Sequence, residues 1–123
     1  MLVFLWSLLF APQVIEIKPE PAVIINAILT AYSSSEDETD EDPWTAADGS
    51  RPRYGIVANN CLPFGEPVKI ANEVFIVRDR KNKRYGCEWF DIWMPSKDQA
   101  LNFGIKRAPV EIVLKTQLSY NYR

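Results

Sequence analysis

Short β-branched and aromatic runs, each closed by a turn former, fill the chain from residue 22 to residue 114 and rule out a helical or parallel α/β architecture. The first is Ala22–Tyr32, long and almost wholly apolar. Gly55-Ile56-Val57-Ala58 reads as a short buried strand, Leu62-Pro63-Phe64-Gly65 as a turn, and Pro67-Val68-Lys69-Ile70 and residues 74–79 as the next two strands. After a basic loop at 80–84, residues 88–94 and 110–114 supply two more. One short helix is predicted over Lys97–Phe103, because Ser96 and Gln99 have capping-box spacing and Gly104 stands where a helix ends. The pattern predicts an all-β chain, a small barrel of six or so strands with one or two short helices.

A chain of 123 residues makes one domain. Its net charge of −2 hides an imbalance: residues 1–48 sum to −8 and residues 49–123 to +6. An acidic arm and a basic face follow from that split. No aromatic-interleaved basic motif or zinc-type spacing accompanies it, so nucleic acid is not an expected partner. Histidine is absent, which removes Ser-His-Asp and Cys-His catalysis. Two thiols without an imidazole also make a poor zinc site, so neither metal nor cofactor is expected. Residues 33–43 carry six acids and no apolar side chain and read as a solvated loop; the run lacks the glycine-punctuated spacing of a calcium loop.

Residues 1–11 are apolar apart from Ser7 and carry no charge. A bilayer-spanning helix needs about 20 apolar residues, so no stable membrane insertion of the domain is expected. The length suits a signal-peptide core and predicts export, with the segment cleaved or kept as a tether. Against this, no Lys or Arg precedes it, and Leu9-Phe10-Ala11 is a poor cleavage site; the alternative is an apolar segment packed on the domain. The division is thus 1–21 as hydrophobic segment and linker, 22–116 as the barrel, and 117–123 as a tail.

Three motifs follow one another in the middle of the chain: Asn59-Asn60-Cys61-Leu62-Pro63-Phe64-Gly65, Phe75-Ile76-Val77-Arg78-Asp79-Arg80 and Trp89-Phe90-Asp91-Ile92-Trp93-Met94. With Thr30-Ala31-Tyr32-Ser33-Ser34, Thr45-Ala46 with Gly49, and Ala100-Leu101-Asn102-Phe103-Gly104, their order and spacing resemble the 3D (three-aspartate) domain of bacterial cell-wall proteins over residues 29–114. The resemblance implies a six-stranded double-psi β-barrel, similar to those of membrane-bound lytic transglycosylase A, rare lipoprotein A and expansins. It implies a peptidoglycan-acting, exported protein that cleaves glycan strands as lytic transglycosylases do; a non-catalytic, expansin-like carbohydrate-binding module is the alternative. Asp79 and Asp91 match two of the family's aspartates. Asn59-Asn60 stand where a further acid, or the histidine of the rare-lipoprotein relatives, belongs, and the glutamate of those relatives falls near Ser50.

Two carboxylates on neighbouring strands suit acid/base work on a glycosidic bond. Strict alternation puts Asp79 on the face of Phe75 and Val77, where an apolar surround favours the neutral acid. Asp79 is therefore the expected acid/base and Asp91 its partner. Asp91 alternates with Trp89 and Trp93, a potential sugar-stacking wall, although aromatic residues in strands more often pack in the core. Asn59 and Asn60 are candidate sugar or water ligands. Lys83 and Arg84, in a loop with five bases among residues 78–84, are candidates for holding an anionic glycan; a solvated hairpin tip is the plainer reading. Cys61 and Cys87 come together only if the barrel brings their segments to one mouth. A disulfide in an oxidising compartment and free thiols in the cytoplasm both remain open. The domain is expected to act as a monomer.

Overall fold

Alternating apolar runs have to close on themselves to bury one face and satisfy their backbone groups, and in the computed structural model they do so as a closed six-stranded barrel. The structure describes residues 22–35 and 42–113. The apolar segment 1–11, its linker, most of the acidic loop and the C-terminal tail lie outside the described residues. The strands are β1 (Ala22–Tyr32), β2 (Ile56–Ala58), β3 (Pro67–Ile70), β4 (Glu73–Asp79), β5 (Trp89–Trp93) and β6 (Lys106–Val113), with one helix, α1 (Lys97–Phe103).

Around the barrel the order is β1-β5-β2-β4-β3-β6. The pairs β1/β5 and β2/β4 are parallel and the other four antiparallel. The eleven residues of β1 serve two neighbours: Ala22 through Leu29 register with β6, and Ile28 through Tyr32 with β5. β3 and β4 form a two-residue hairpin through Ala71 and Asn72, both at positive φ, as the twist of a tight hairpin demands.

Alternate residues of every strand meet inside the barrel. Ala27, Leu29, Val57, Val68, Ile70, Phe75, Val77, Phe90, Ile92, Val110 and Ile112 form one cluster, with Phe90, Val57 and Val77 fully buried. A smaller cluster on the opposite face of β1, β2 and β5 joins Tyr32, Ile56, Ala58 and Trp93. Helix α1 packs on β1 and buries Ala100. The Ser96 hydroxyl caps it by accepting from Gln99 N–H at 3.2 Å. Gly104 ends it at φ 70° and ψ −149°, a backbone conformation open to glycine rather than the αL cap the spacing predicts. No helix among the described residues is long and apolar enough to cross a membrane.

Candidate functional site

The pairing of β2 with its two neighbours brings the two aspartates together. Ala58 registers with Asp79 of β4 on one side and with Asp91 of β5 on the other, and Asp91 in turn registers with Thr30 of β1. With strands about 4.8 Å apart, the two aspartate backbones stand roughly 10 Å from each other. Both side chains project from the face opposite the barrel interior, onto a cleft of about 1150 Å³.

For Asp79 this corrects the simple alternation. The register slips between Val57 and Ala58: Val77 pairs with Val57, but Asp79 rather than Arg78 pairs with Ala58. Arg78 is the extra residue of a β-bulge, and past it the side-chain parity reverses. Asp79 consequently leaves the face of Phe75 and Val77 and joins that of Tyr32 and Asp91. Its carboxylate accepts three hydrogen bonds there: Tyr32 Oη at 2.6 Å, Ala47 N–H at 2.9 Å and Arg80 N–H at 2.9 Å. The Tyr32 phenol is held far above its usual range, first by burial and then by the charge and hydrogen bond of Asp79.

The turn that supplies Ala47 is built from its own polar residues. Asp42 accepts from Trp44 N–H and the Thr45 hydroxyl, Ala46 N–H donates to Ser50 O, and Gly49 takes φ 87°. Asp48 then locks the turn to the bulge, pairing with Arg78 at 3.2 Å while its own N–H donates to Arg78 O. Burial pushes the Asp48 carboxyl up, but its hydrogen bonds from Ser50 and the Arg78 guanidinium outweigh that and hold it below the usual range.

Asp91 is in a different setting, buried at 9% exposure. One oxygen accepts from Thr30 Oγ1 at 2.8 Å and the other from Lys81 Nζ at 3.1 Å. Burial pushes its carboxyl above the ordinary value; Lys81 and Thr30 oppose the shift, and the charge of Asp79 adds to it. The two carboxylates thus stand in different settings: Asp79 is half-buried and held by three donors, Asp91 is buried against Thr30 and Lys81.

The remaining candidates divide sharply. Asn59 is completely buried, and all its amide capacity is used on backbone: Nδ2 donates to Cys87 O and Trp89 O, and Oδ1 accepts from Cys61 N–H and Leu62 N–H, each at 2.9 Å. It is a staple with nothing left for a sugar. Asn60 reaches the cleft, but it spends its amide on Asn82 O, Tyr85 O and Lys81 N–H. Trp93 does not stand on a sugar wall; its ring is buried against Tyr32, Ile56 and Ala58, and Nε1 donates to Ser34 Oγ at 2.9 Å. Trp89 is half-buried and meets Tyr85 edge-on at 4.8 Å, and Tyr85 is the one of the two that lines the cleft.

Lys83 and Arg84 are exposed on the cleft rim, as the basic loop suggests, with the Arg84 guanidinium donating to Tyr85 Oη. Arg80 is anchored instead, donating to Asn59 O and Leu62 O at 2.8 Å and stacking on Phe64 at 3.8 Å. Cys61 and Cys87 form a disulfide with a Cα separation of 5.3 Å, tying the turn after β2 to the loop before β5. Among the described residues no three His, Cys, Asp or Glu side chains converge as a metal site.

No family model matches this chain, and no curated protein matches it. Its site therefore has to be read from its own residues. Thr30, Tyr32, Lys81 and Tyr85 belong to it beside the candidates named from the sequence. Thr30 and Tyr32 stand in the opening motif and Lys81 in the basic loop, whereas nothing in the sequence marks Tyr85.

Proposed function

We propose that this barrel is a 3D-type, double-psi domain that acts on peptidoglycan glycan strands outside the cytoplasm and cleaves them as a lytic transglycosylase does. The observation that carries the reading is the pair of aspartates flanking Ala58 on one open cleft, one held by three donors and the other buried. The burial of Asp91, which raises its carboxyl above the ordinary value, supports giving it the proton transfers. A protonated Asp91 gives its proton to the glycosidic oxygen as the bond from C1 of muramic acid breaks. The resulting carboxylate takes the proton of the same sugar's 6-hydroxyl, whose oxygen closes on C1 to give a 1,6-anhydro ring, and Asp91 is regenerated. Asp79, gripped by Tyr32, Ala47 and Arg80, fixes the strand end and adds negative charge beside the positive charge that develops at C1. The disulfide agrees with an oxidising compartment, and Lys83 and Arg84 with an anionic polymer.

One observation favours the non-catalytic alternative: Lys81 pairs with Asp91, as in a binding module that needs no free acid. Mass spectrometry of peptidoglycan after incubation separates the two. Appearance of 1,6-anhydro products with the parent protein, and their loss by a factor of at least about 100 in Asp91→Asn, is the expected result. Binding to peptidoglycan without such products establishes the module instead.

A further inference from the structure

The five bases of residues 78–84 go to different places, and one lies where a solvated rim would not put it. Lys81 turns into the cleft with its side chain only 14% exposed. Its ammonium is 3.1 Å from Asp91 Oδ2, 3.3 Å from Thr30 Oγ1 and 4.2 Å from the centre of the Tyr85 ring. Its root is fixed, since Lys81 N–H donates to Asn60 Oδ1 at 2.8 Å while the Asn60 amide holds the carbonyls of Asn82 and Tyr85. A flexible four-carbon stem on a fixed root lets a point charge change partner without moving the loop.

We infer that Lys81 reads a carboxylate on the glycan: a sugar-borne carboxylate entering the cleft takes the ammonium from Asp91, which then becomes a proton donor only when an anionic glycan is bound. This rests on the glycan reading of the cleft given above. Asp91 is faced by Thr30 and Tyr32 from β1, by Asp79 from β4, and by Lys81 and Tyr85 from the loop after β4. Lys81 is the one cation among them. When its ammonium engages another carboxylate, burial and the charge of Asp79 act on Asp91 with only the Thr30 hydroxyl opposing them. Asp91 then takes a proton from water. The site keeps its charge balance, because the incoming carboxylate replaces the one neutralised. Lys83 and Arg84 on the rim attract the same anion on approach. The ion pair between Lys81 and Asp91 is thereby a lock opened by the correct substrate.

Two disaccharides that differ in a single lactyl carboxylate test this: N-acetylglucosaminyl-N-acetylmuramic acid and N,N′-diacetylchitobiose. Neither has a glycosidic bond at C1 of muramic acid, so both bind without being cut. NMR titration of the whole protein should give the muramic disaccharide a roughly tenfold lower Kd, the scale of one charge-assisted hydrogen bond. Lys81→Gln should erase the preference and Lys81→Arg should retain it. In the unaltered protein the Asp91 side-chain carboxyl carbon should shift toward its protonated position with the muramic disaccharide and stay put with diacetylchitobiose. That measurement decides the matter even where Lys81→Gln fails to fold. Equal binding of the two sugars, a preference that survives Lys81→Gln, or an Asp91 signal indifferent to the lactyl group would overturn the inference and leave the glycan reading standing. Binding of neither sugar, nor of intact glycan strands, would remove both.

Discussion

The two faces of β5 are held by different physics. Inward, Phe90 and Ile92 lie in an apolar cluster where contact is non-directional and every neighbour contributes a little. Outward, Asp91 is held by directed bonds from Thr30 and Lys81, and Trp93, packed on Tyr32, Ile56 and Ala58, adds a directed bond to Ser34. The interior sets whether the barrel exists. The outer face and the loops stapled to it set where charges stand, so damage there should register in the cleft before it registers in the fold.

The largest effect expected belongs to the interior. Phe90→Ala removes a fully buried ring and should cost about 3–5 kcal/mol, read as a lower urea midpoint. A loss below about 1 kcal/mol would mean that the site collapses to fill the cavity, and the two faces would then be less distinct than the packing indicates. Reduction of Cys61–Cys87 comes next. Both cysteines are exposed and 26 residues apart in sequence. Opening that loop should cost about 3 kcal/mol by chain-entropy reasoning, measured as a lower melting temperature with reductant. Because Asn59 and Asn60 also tie the same segments, the barrel should survive with its sheet signal intact. An unchanged melting temperature would show that the amides alone fix the loop.

Asn59→Ala sharpens the contrast more than either. It strips partners from two backbone N–H groups and two carbonyls around residues 59–62 and 87–89, and it should cost about 1–3 kcal/mol in stability. Its effect on the proposed glycan turnover should exceed that of Phe90→Ala at matched stability, since the loop it holds carries Lys81 and Tyr85. Equal effects on turnover would erase the division of labour between the faces.

How much of this was legible in the sequence follows from the range of the signals. The strands were readable because β-branched runs and turn residues act locally: Ala22–Tyr32, Leu62-Pro63-Phe64-Gly65 and the capped helix stand where the pattern puts them. β6 starts at Lys106 rather than 110, because its first residues, Lys106 to Pro109, are exposed or half-buried and give no apolar alternation. The site was legible as residues but not as geometry. Asp79 and Asp91 do share a cleft, yet the bulge at Arg78, which decides the face Asp79 takes, arises from pairing with β2, and nothing in residues 75–79 marks it. Asn59 and Trp93 are polar and aromatic enough to pass for ligands. What distinguishes a ligand from a staple is whether its hydrogen bonds are already used, and that depends on segments up to 59 residues away in the chain.

The smallest expected effect is the most specific to the comparison, because it sets two acids of the outer face against each other. Asp91 has a raised carboxyl value in the folded protein, chiefly from burial. Folding therefore favours its protonated form. The stability it contributes is complete below the ordinary carboxyl range and is lost as pH rises through the raised value. Asp48 runs the other way: its hydrogen bonds from Ser50 and the Arg78 guanidinium overcome burial and hold it low. Its contribution is present above the ordinary range and is lost as pH falls through the lowered value. Urea midpoints from pH 3 to pH 7 should separate them. Relative to Asp91→Asn, the parent should lose ground as pH rises; relative to Asp48→Asn, it should gain. Parallel pH slopes for the two variants would mean that Lys81 compensates Asp91 as fully as Arg78 compensates Asp48, leaving the cleft without the desolvated acid on which the proposed chemistry depends.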